Sequence, residues 1–259
     1  MIRNLSAMKN IQTSSPRDRL IFALDIGGAP DEALSWVRRL KDHVGLFKVG
    51  KEAFTHFGPD LVREIQKNGG RVFLDLKFHD IPNTVARAAE AATSLGVAMF
   101  NIHAMGGMAM MKETASSVNA LSAKNGHPPP LILAVTVLTS LNNEDLDSLG
   151  FRETTDQLVV RLAQMAQASG IPGVVASAQD VAAIRRACGR DFIIVTPGIR
   201  GTQSVAGDDQ KRTLSPADAI KEGSDFIVVG RPIRTAENPE GEADNITQEI
   251  EKGLSERRT

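Results

Sequence analysis

The sequence predicts a single-domain α/β fold, a closed (β/α)8 TIM barrel, on three observations. The chain is 259 residues long, a size that suits one large α/β domain. Eight short β-rich runs recur along it, separated by stretches with helical spacing. Polar and charged residues then fall at the same end of run after run, where a parallel barrel gathers its active site. A chain of this length buries roughly 70–75% of its unfolded surface, so a substantial core is available.

The predicted strands are 20–24 (Leu-Ile-Phe-Ala-Leu), 45–49, 72–76, 97–102, 131–137, 173–176, 192–195 and 226–229 (Phe-Ile-Val-Val). Each is short and rich in β-branched or other apolar residues, as strands buried on both faces are. Helical spacing occupies 31–43, 51–68, 83–95, 105–124, 154–169, 178–188 and 215–222. Gly69-Gly70, Pro128-Pro129-Pro130 and Pro197-Gly198 punctuate the junctions. The rival architecture is an open doubly wound sheet. Gly27-Gly28 follows the first strand, but the G-x-G-x-x-G fingerprint of such a sheet is absent. Residues 1–19 are polar and mixed and read as a flexible N-terminal extension, with the barrel spanning 20–259.

Composition narrows the functions. The formal net charge of −1 gives no support for a nucleic-acid or membrane-surface partner. Cys188 is the only cysteine, which excludes an intrachain disulfide and a multi-cysteine zinc site and fits a reducing cytoplasm. No apolar run approaches the ~20 residues of a membrane span, and residues 1–19 lack the apolar stretch of a secretory signal.

The most informative segment is 73–84, Phe-Leu-Asp-Leu-Lys-Phe-His-Asp-Ile-Pro-Asn-Thr. Asp75 and Lys77 lie two residues apart at the end of a strand and so point to the same side. Asp80 follows where the chain turns toward a helix. Such a cluster is costly to hold unless its charges pair or it performs chemistry. The plainer alternative is an ion pair plus a helix cap by Asp80 or Asn83, with Pro82 aiding the turn. The functional one is an ammonium kept protonated by carboxylates and ready to deliver a proton.

Asp25 ends the first strand and Lys48 lies near the end of the second. His103 follows the fourth, Thr136 and Thr139 lie at the fifth and Arg231 follows the eighth. Singly, Asp25 and Lys48 read equally well as a cap and a solvent-reaching lysine. Across a barrel mouth from Asp75 and Lys77 they form an alternating array of charge, suited to sugar hydroxyls. The polar stretch 197–213 after strand seven has the length of a lid, the plainer alternative being a tolerated surface insertion. Gly230-Arg231 after strand eight suits a phosphate, through close backbone approach and a fork of donors. His79 and His103 are candidate metal ligands without a paired-histidine motif. Asp25, Asp75 and Asp80 could hold magnesium only in competition with Lys48 and Lys77, so chemistry without metal or cofactor is expected. Met108, Met110 and Met111 read as packing.

These pieces resemble the orotidine 5′-monophosphate decarboxylase family in its bacterial form. The resemblance rests on Ala-Leu-Asp25, Phe-Lys48-Val-Gly, Asp75-Leu-Lys77-Phe-His-Asp80-Ile81-Pro82-Asn83-Thr84, Val-Thr-Val-Leu-Thr139-Ser, Thr-Pro-Gly-Ile-Arg200, Asp-Asp-Gln210-Lys-Arg and Val-Gly230-Arg231-Pro. They occur in order over nearly everything after residue 19. The resemblance implies a cofactor-free barrel, a homodimer with active sites shared between subunits, and a nucleotide substrate on the last step to uridine monophosphate. It implies that Lys77 donates the proton to the pyrimidine C6 and that Asp75 lies beside the substrate carboxylate. Asp80 would reach into the neighbouring subunit's site, followed by Ile81 and Thr84. Asp25 and Lys48 would hold the ribose hydroxyls, with Lys48 also tied into the catalytic charged array. Thr139 would sit near the base and Arg200 on the rim, while Gln210 (rather than Gln203), Gly230 and Arg231 would grip the phosphate.

Overall fold

The structure, a computed structural model, describes residues 15–199 and 214–257. Eight parallel strands pair in chain order and close on themselves. They are β1 (Leu20–Leu24), β2 (Leu46–Gly50), β3 (Val72–Phe78), β4 (Met99–His103), β5 (Leu131–Val135), β6 (Gly173–Val175), β7 (Ile193–Pro197) and β8 (Phe226–Val229). β1 completes the ring against β8, with Ile21 opposite Val228. Helices fill the intervals: α1 (Pro30–Leu40), α2 (Lys51–Lys67), α3 (Pro82–Ser94), α4 (Gly107–Asn125), α5 (Asn143–Ser148), α6 (Thr155–Ala168), α7 (Val181–Cys188), α8 (Pro216–Glu222), α9 (Arg231–Arg234) and α10 (Pro239–Arg257).

The two-residue period of each strand separates two cores. Ile21, Ala23, Leu46, Phe73, Met99, Leu133, Ile193 and Val228 pack inside the barrel. Their neighbours Leu20, Phe22, Phe47, Leu74, Phe100 and Ile194 face outward into a larger core beneath the helices. The strands are apolar on both faces because both are covered. The same alternation decides which polar residues reach the mouth. Continuing the inward rows beyond Ala23, Phe73 and Met99 brings Asp25, Asp75 and Asn101 to the carboxyl end.

Several bounds differ from the sequence-based expectation. Arg17–Arg19 form a single 3-10 turn ahead of β1, with Arg19 buried. Its guanidinium donates to the Asp225 carbonyl at 3.1 Å, so the packed body begins before residue 20. Residues 1–14 of the expected extension lie outside the described residues. α2 is two helices joined at Gly58, whose φ of 63° breaks the helix just before Pro59. α5 was not expected; Asn142 and Asp145 form a reciprocal capping box that starts this short helix. The expected helix 178–188 divides into a 3-10 turn, Ala178–Asp180, and α7. α10, also absent from the expected helices, closes the outer layer against α8 and α1. At the opposite end from the mouth, Asp225 pairs with both Arg185 and Arg257 and fastens β8 to the surrounding helices.

Candidate active site

The carboxyl ends of the strands surround an open cavity of ≈ 310 Å³, at the lower end of the range for small-molecule sites. Asp25, Lys48, Asp75, Lys77, Thr139, Gly230 and Arg231 all line it. Lys48 lies one layer lower than the two aspartates, opposite Ala23 and Phe73 in the ladder. Its four-carbon stem carries the ammonium up to Asp25 Oδ1 at 2.8 Å and Asp75 Oδ2 at 3.4 Å. Lys77 Nζ meets the other oxygen of Asp75, Oδ1, at 2.6 Å. The result is an unbroken alternating chain, Asp25–Lys48–Asp75–Lys77, across three strands.

Burial opposes charge on both central members of this chain, yet the partners prevail. Burial disfavours the Lys48 ammonium, but Asp75 and Asp25 together raise its pKa above the usual lysine value. Burial likewise disfavours the Asp75 carboxylate, but Lys48 and Lys77, with hydrogen bonds from Lys77 and Asn101, hold its carboxyl below the ordinary range. Both groups are therefore charged at neutral pH.

β3 carries its two charges on a distorted backbone. Leu74 is opposite Phe100 in β4, but the next pair is Phe78 with Ile102. Four residues thus advance on β3 while two advance on β4, a local bulge. Lys77 has a φ of 53° and is the only non-glycine residue with positive φ among the described residues. A lysine in this left-handed region costs about 1–2 kcal/mol, and such strain persists where the surroundings impose it, commonly at functional sites. Asp75 and Lys77 share a side as the spacing predicts, but through a bulge rather than regular alternation.

Asp80 does not join this cluster within one chain. It is exposed, its Oδ1 accepts the Ile81 N–H at 2.6 Å, and among the described residues no ion pair links it to Lys77. Ile81, Pro82, Asn83 and Thr84 follow it outside the cavity wall; Ile81 is 67% exposed. The cap reading also fails in detail, because Ile81 is the N-cap of α3 and no side chain caps that end. Pro82 does open the helix, as expected. Thr136 turns away from the cavity, its buried hydroxyl donating to the Val175 carbonyl at 3.2 Å. Arg200 and Gln210, with Gln203 and most of the 197–213 stretch, lie outside the described residues.

Gly230 sits close against the base of the site: a Cβ there would lie 3.2 Å from Ala23 Cβ. Sequence reasoning missed two residues. Arg234 on α9 donates to the Asp25 carbonyl at 2.5 Å and steadies the first acid of the chain; nothing in its local sequence marks it. Asn101 on β4 is wholly buried and donates to Asp75 Oδ1 at 2.6 Å. A signal for it existed, an amide two residues beyond Met99 on the inward row of an apolar strand.

The two candidate metal ligands instead face each other. The rings of His79 and His103 stack at 5.2 Å. Burial, reinforced by the neighbouring His79, Lys77 and Lys51, lowers the His103 pKa to about 4, so this ring is neutral at pH 7. No group of three or more His, Cys, Asp or Glu side chains is placed to hold a metal among the described residues.

Fold and site together define a (β/α)8-barrel enzyme whose chemistry-bearing groups are an alternating row of carboxylates and lysines at the strand ends. The family model for the orotidine 5′-phosphate decarboxylase / HUMPS family matches residues 18–246. The chain belongs to that family. It is 65% identical over 96% of its length to a protein of Syntrophus aciditrophicus named orotidine 5′-phosphate decarboxylase, 99% of which is covered. A protein of the same name from Syntrophotalea carbinolica is 54% identical over 93% of this chain and 98% of its own. The crystal structure of orotidine 5′-phosphate decarboxylase from Lactobacillus acidophilus superposes with a TM-score of 0.78 at 36% identity, covering 89% of this chain and 98% of that one.

Proposed function

We propose that this chain decarboxylates orotidine 5′-monophosphate to uridine 5′-monophosphate and carbon dioxide, the last step of de novo pyrimidine nucleotide synthesis, without a metal or organic cofactor. The observation that carries this reading is the Lys77 ammonium held 2.6 Å from Asp75 on a strained strand end in the cavity. The names of close relatives supply the substrate.

The chemistry follows from the charges. The bond from C6 to the carboxyl carbon breaks, and its electron pair stays on C6 in the ring plane, where the π system cannot spread it. A cation at C6 stabilises that pair more than it stabilises the ground-state carboxylate. Lys77 Nζ then gives C6 a proton and regains one from solvent. Asp75 beside the departing carboxylate adds repulsion. Two like charges 4 Å apart repel by about 4 kcal/mol at an effective dielectric of ~20, and this repulsion fades as carbon dioxide leaves. Asp25 and Lys48 bind the ribose hydroxyls, Thr139 borders the base, and Arg231 with Gly230 takes the phosphate. Gln210 is assigned to the same grip and Arg200 to the site rim, and phosphate binding gives remote binding energy to draw on at C6.

The direct test is to add orotidine 5′-monophosphate to the purified protein in excess chelator and follow its ultraviolet absorbance. Steady loss of absorbance supports the reading. An inert protein would remove it, and activity that appears only on adding divalent metal would favour metal-dependent chemistry at the same strand ends instead. Replacing the phosphate anchor, Arg231→Ala, is expected to raise KM by roughly 10- to 100-fold, as for loss of a charge-assisted hydrogen bond worth about 1.5–3 kcal/mol. An unchanged KM would put the phosphate elsewhere.

The reading includes a homodimer in the cytoplasm, with the barrel as the catalytic unit. No helix among the described residues is long and apolar enough to cross a membrane. Exposed Asp80 and Ile81, pointing away from their own cavity, support a role in a partner's site. Mixing two inactive variants, Lys77→Ala and Asp80→Ala, should then restore activity, because half of the sites in mixed dimers carry neither change. Mixed dimers without any activity would rule out sharing.

A further inference from the structure

We propose that Asn101 is the positioning residue that sets Asp75 and Lys77 for the reaction; this rests on the decarboxylase reading for its kinetic consequence. Asn101 belongs to β4, not to the strand that bears the two charges, and it is 0% exposed. An amide buried to this degree is costly unless both its ends are satisfied. Both ends go to β3. Nδ2 donates to Asp75 Oδ1 at 2.6 Å, and Oδ1 accepts the Lys77 N–H at 2.7 Å. The partners dictate this orientation. A backbone N–H only donates and a carboxylate only accepts, so the flipped amide would leave both bonds unmade.

The place of these bonds explains their consequence. Between the pairs Leu74–Phe100 and Phe78–Ile102, β3 holds Asp75, Leu76 and Lys77 against Asn101 alone. The regular ladder is interrupted over this arch, and the Asn101 side chain replaces it by clamping the residue on either side of Leu76. Lys77 is thereby held at φ 53°, a conformation it would otherwise leave. The same amide shares Asp75 Oδ1 with Lys77 Nζ, so it fixes both the carboxylate and the root of the ammonium that meets it. Loss of the clamp frees the arch to relax and moves Nζ relative to C6. The residues assigned to ribose and phosphate, Asp25 after β1 and Arg231 on α9, keep their places.

Asn101→Ala is therefore expected to lower kcat by about 100-fold, the usual scale for an ångström of misplacement, while KM stays within about threefold of wild type. The isosteric Asn101→Asp supplies a readout that packing alone would not move. Its new carboxyl faces Asp75, and the two share a proton at a raised apparent pKa. When that proton is present it replaces the lost N–H donor; when it is absent the pair repels. The other titratable groups around the arch, Lys77 and His79 on β3 and the turn after it, Lys48 on β2, Asp25 after β1, Lys51 on α2 and His103 on β4, are common to both proteins. The kcat of Asn101→Asp should rise as pH falls across a window where wild type is flat.

A third measurement needs no substrate. The Asp75 carboxyl carbon, followed by NMR, should titrate at higher pH in Asn101→Ala than in wild type. Near-normal kcat in Asn101→Ala, a wild-type pH profile in Asn101→Asp, or an unmoved Asp75 titration would each overturn the assignment. A wild-type protein inert toward orotidine 5′-monophosphate would defeat the decarboxylase reading instead, leaving the Asp75 titration to decide the clamp.

Discussion

Lys77→Ala is expected to abolish turnover and leave the barrel folded. Two losses coincide in this one change. The proton donor to C6 disappears, a contribution of about 10²–10⁴ in rate, and so does the cation facing the developing electron pair, about 10²–10³ for a single preorganised group. Because one ammonium does both, the effects overlap rather than multiply, and a fall of about 10⁴-fold or more is expected. The fold should tolerate it. The Lys77 side chain is 28% exposed, and Asp75 retains Lys48 at 3.4 Å and Asn101 at 2.6 Å. Alanine inherits the positive φ at the same backbone cost, so the melting transition should stay cooperative, with a change inside the about 0.5–3 kcal/mol common to point substitutions. A variant retaining near-normal kcat would remove Lys77 from the chemistry.

Asp75→Asn should have the second largest effect, and it should register in stability as well as rate. Among the described residues, Asp75 is the one carboxylate that touches both lysines and Asn101. Neutralising it leaves Lys48, only 12% exposed, with Asp25 as its one remaining carboxylate partner among the described residues. Breaking a buried pair from one side costs about 3–5 kcal/mol, and the retained Asp25 puts this case near the lower end. Turnover should fall by about 10³-fold, through lost repulsion of the substrate carboxylate and lost orientation of Lys77. The pH dependence has a fixed sign. The folded state holds the Asp75 carboxyl below its unfolded value, so its stabilisation is complete above the ordinary aspartate pKa of about 3.9 and disappears as pH falls through the lowered folded value. The stability gap between wild type and Asp75→Asn should thus be widest near neutral pH and shrink below about pH 4. His103 and the carboxylates outside the Asp25–Lys48–Asp75–Lys77 chain are common to both proteins. A gap that grows on acidification would contradict the assignment.

The sequence carried the barrel because its signals are local. Short apolar, β-rich runs, glycine and proline at junctions, and helical spacing between them are set by residues a few positions apart. The same locality located Asp25, Lys48, Asp75 and Lys77, since a strand end is a strand end whatever the tertiary context. Bounds drifted where a distant contact decides them. Arg19 is ordered by the Asp225 carbonyl, more than two hundred residues away, so its membership of the fold is invisible locally. α10 was missed because its apolar positions are interrupted by charge and its register is set by packing on α8.

Within the site, the bulge at Asp75–Lys77 was not legible either. The two residues were placed on one side by regular alternation, and the structure places them there through a strand that gains two residues on its neighbour. The cause is an amide on another strand, and no spacing rule within 73–84 reveals it. Asp80 misled for the opposite reason. Proximity in sequence suggested a three-charge cluster, but the chain turns into α3 immediately after β3 and carries Asp80 outward. Its assignment to a partner's site rests on the family resemblance and on that outward direction.

The most direct measurement is a crystal structure of the protein with uridine 5′-monophosphate, or a tight-binding analogue, in the cavity. Lys77 Nζ is expected at near-attack distance from the ring C6, about 3–3.5 Å, with Asp75 on its far side and the phosphate at Arg231. A Lys77 side chain turned out of the cavity, with C6 facing another group, would contradict it.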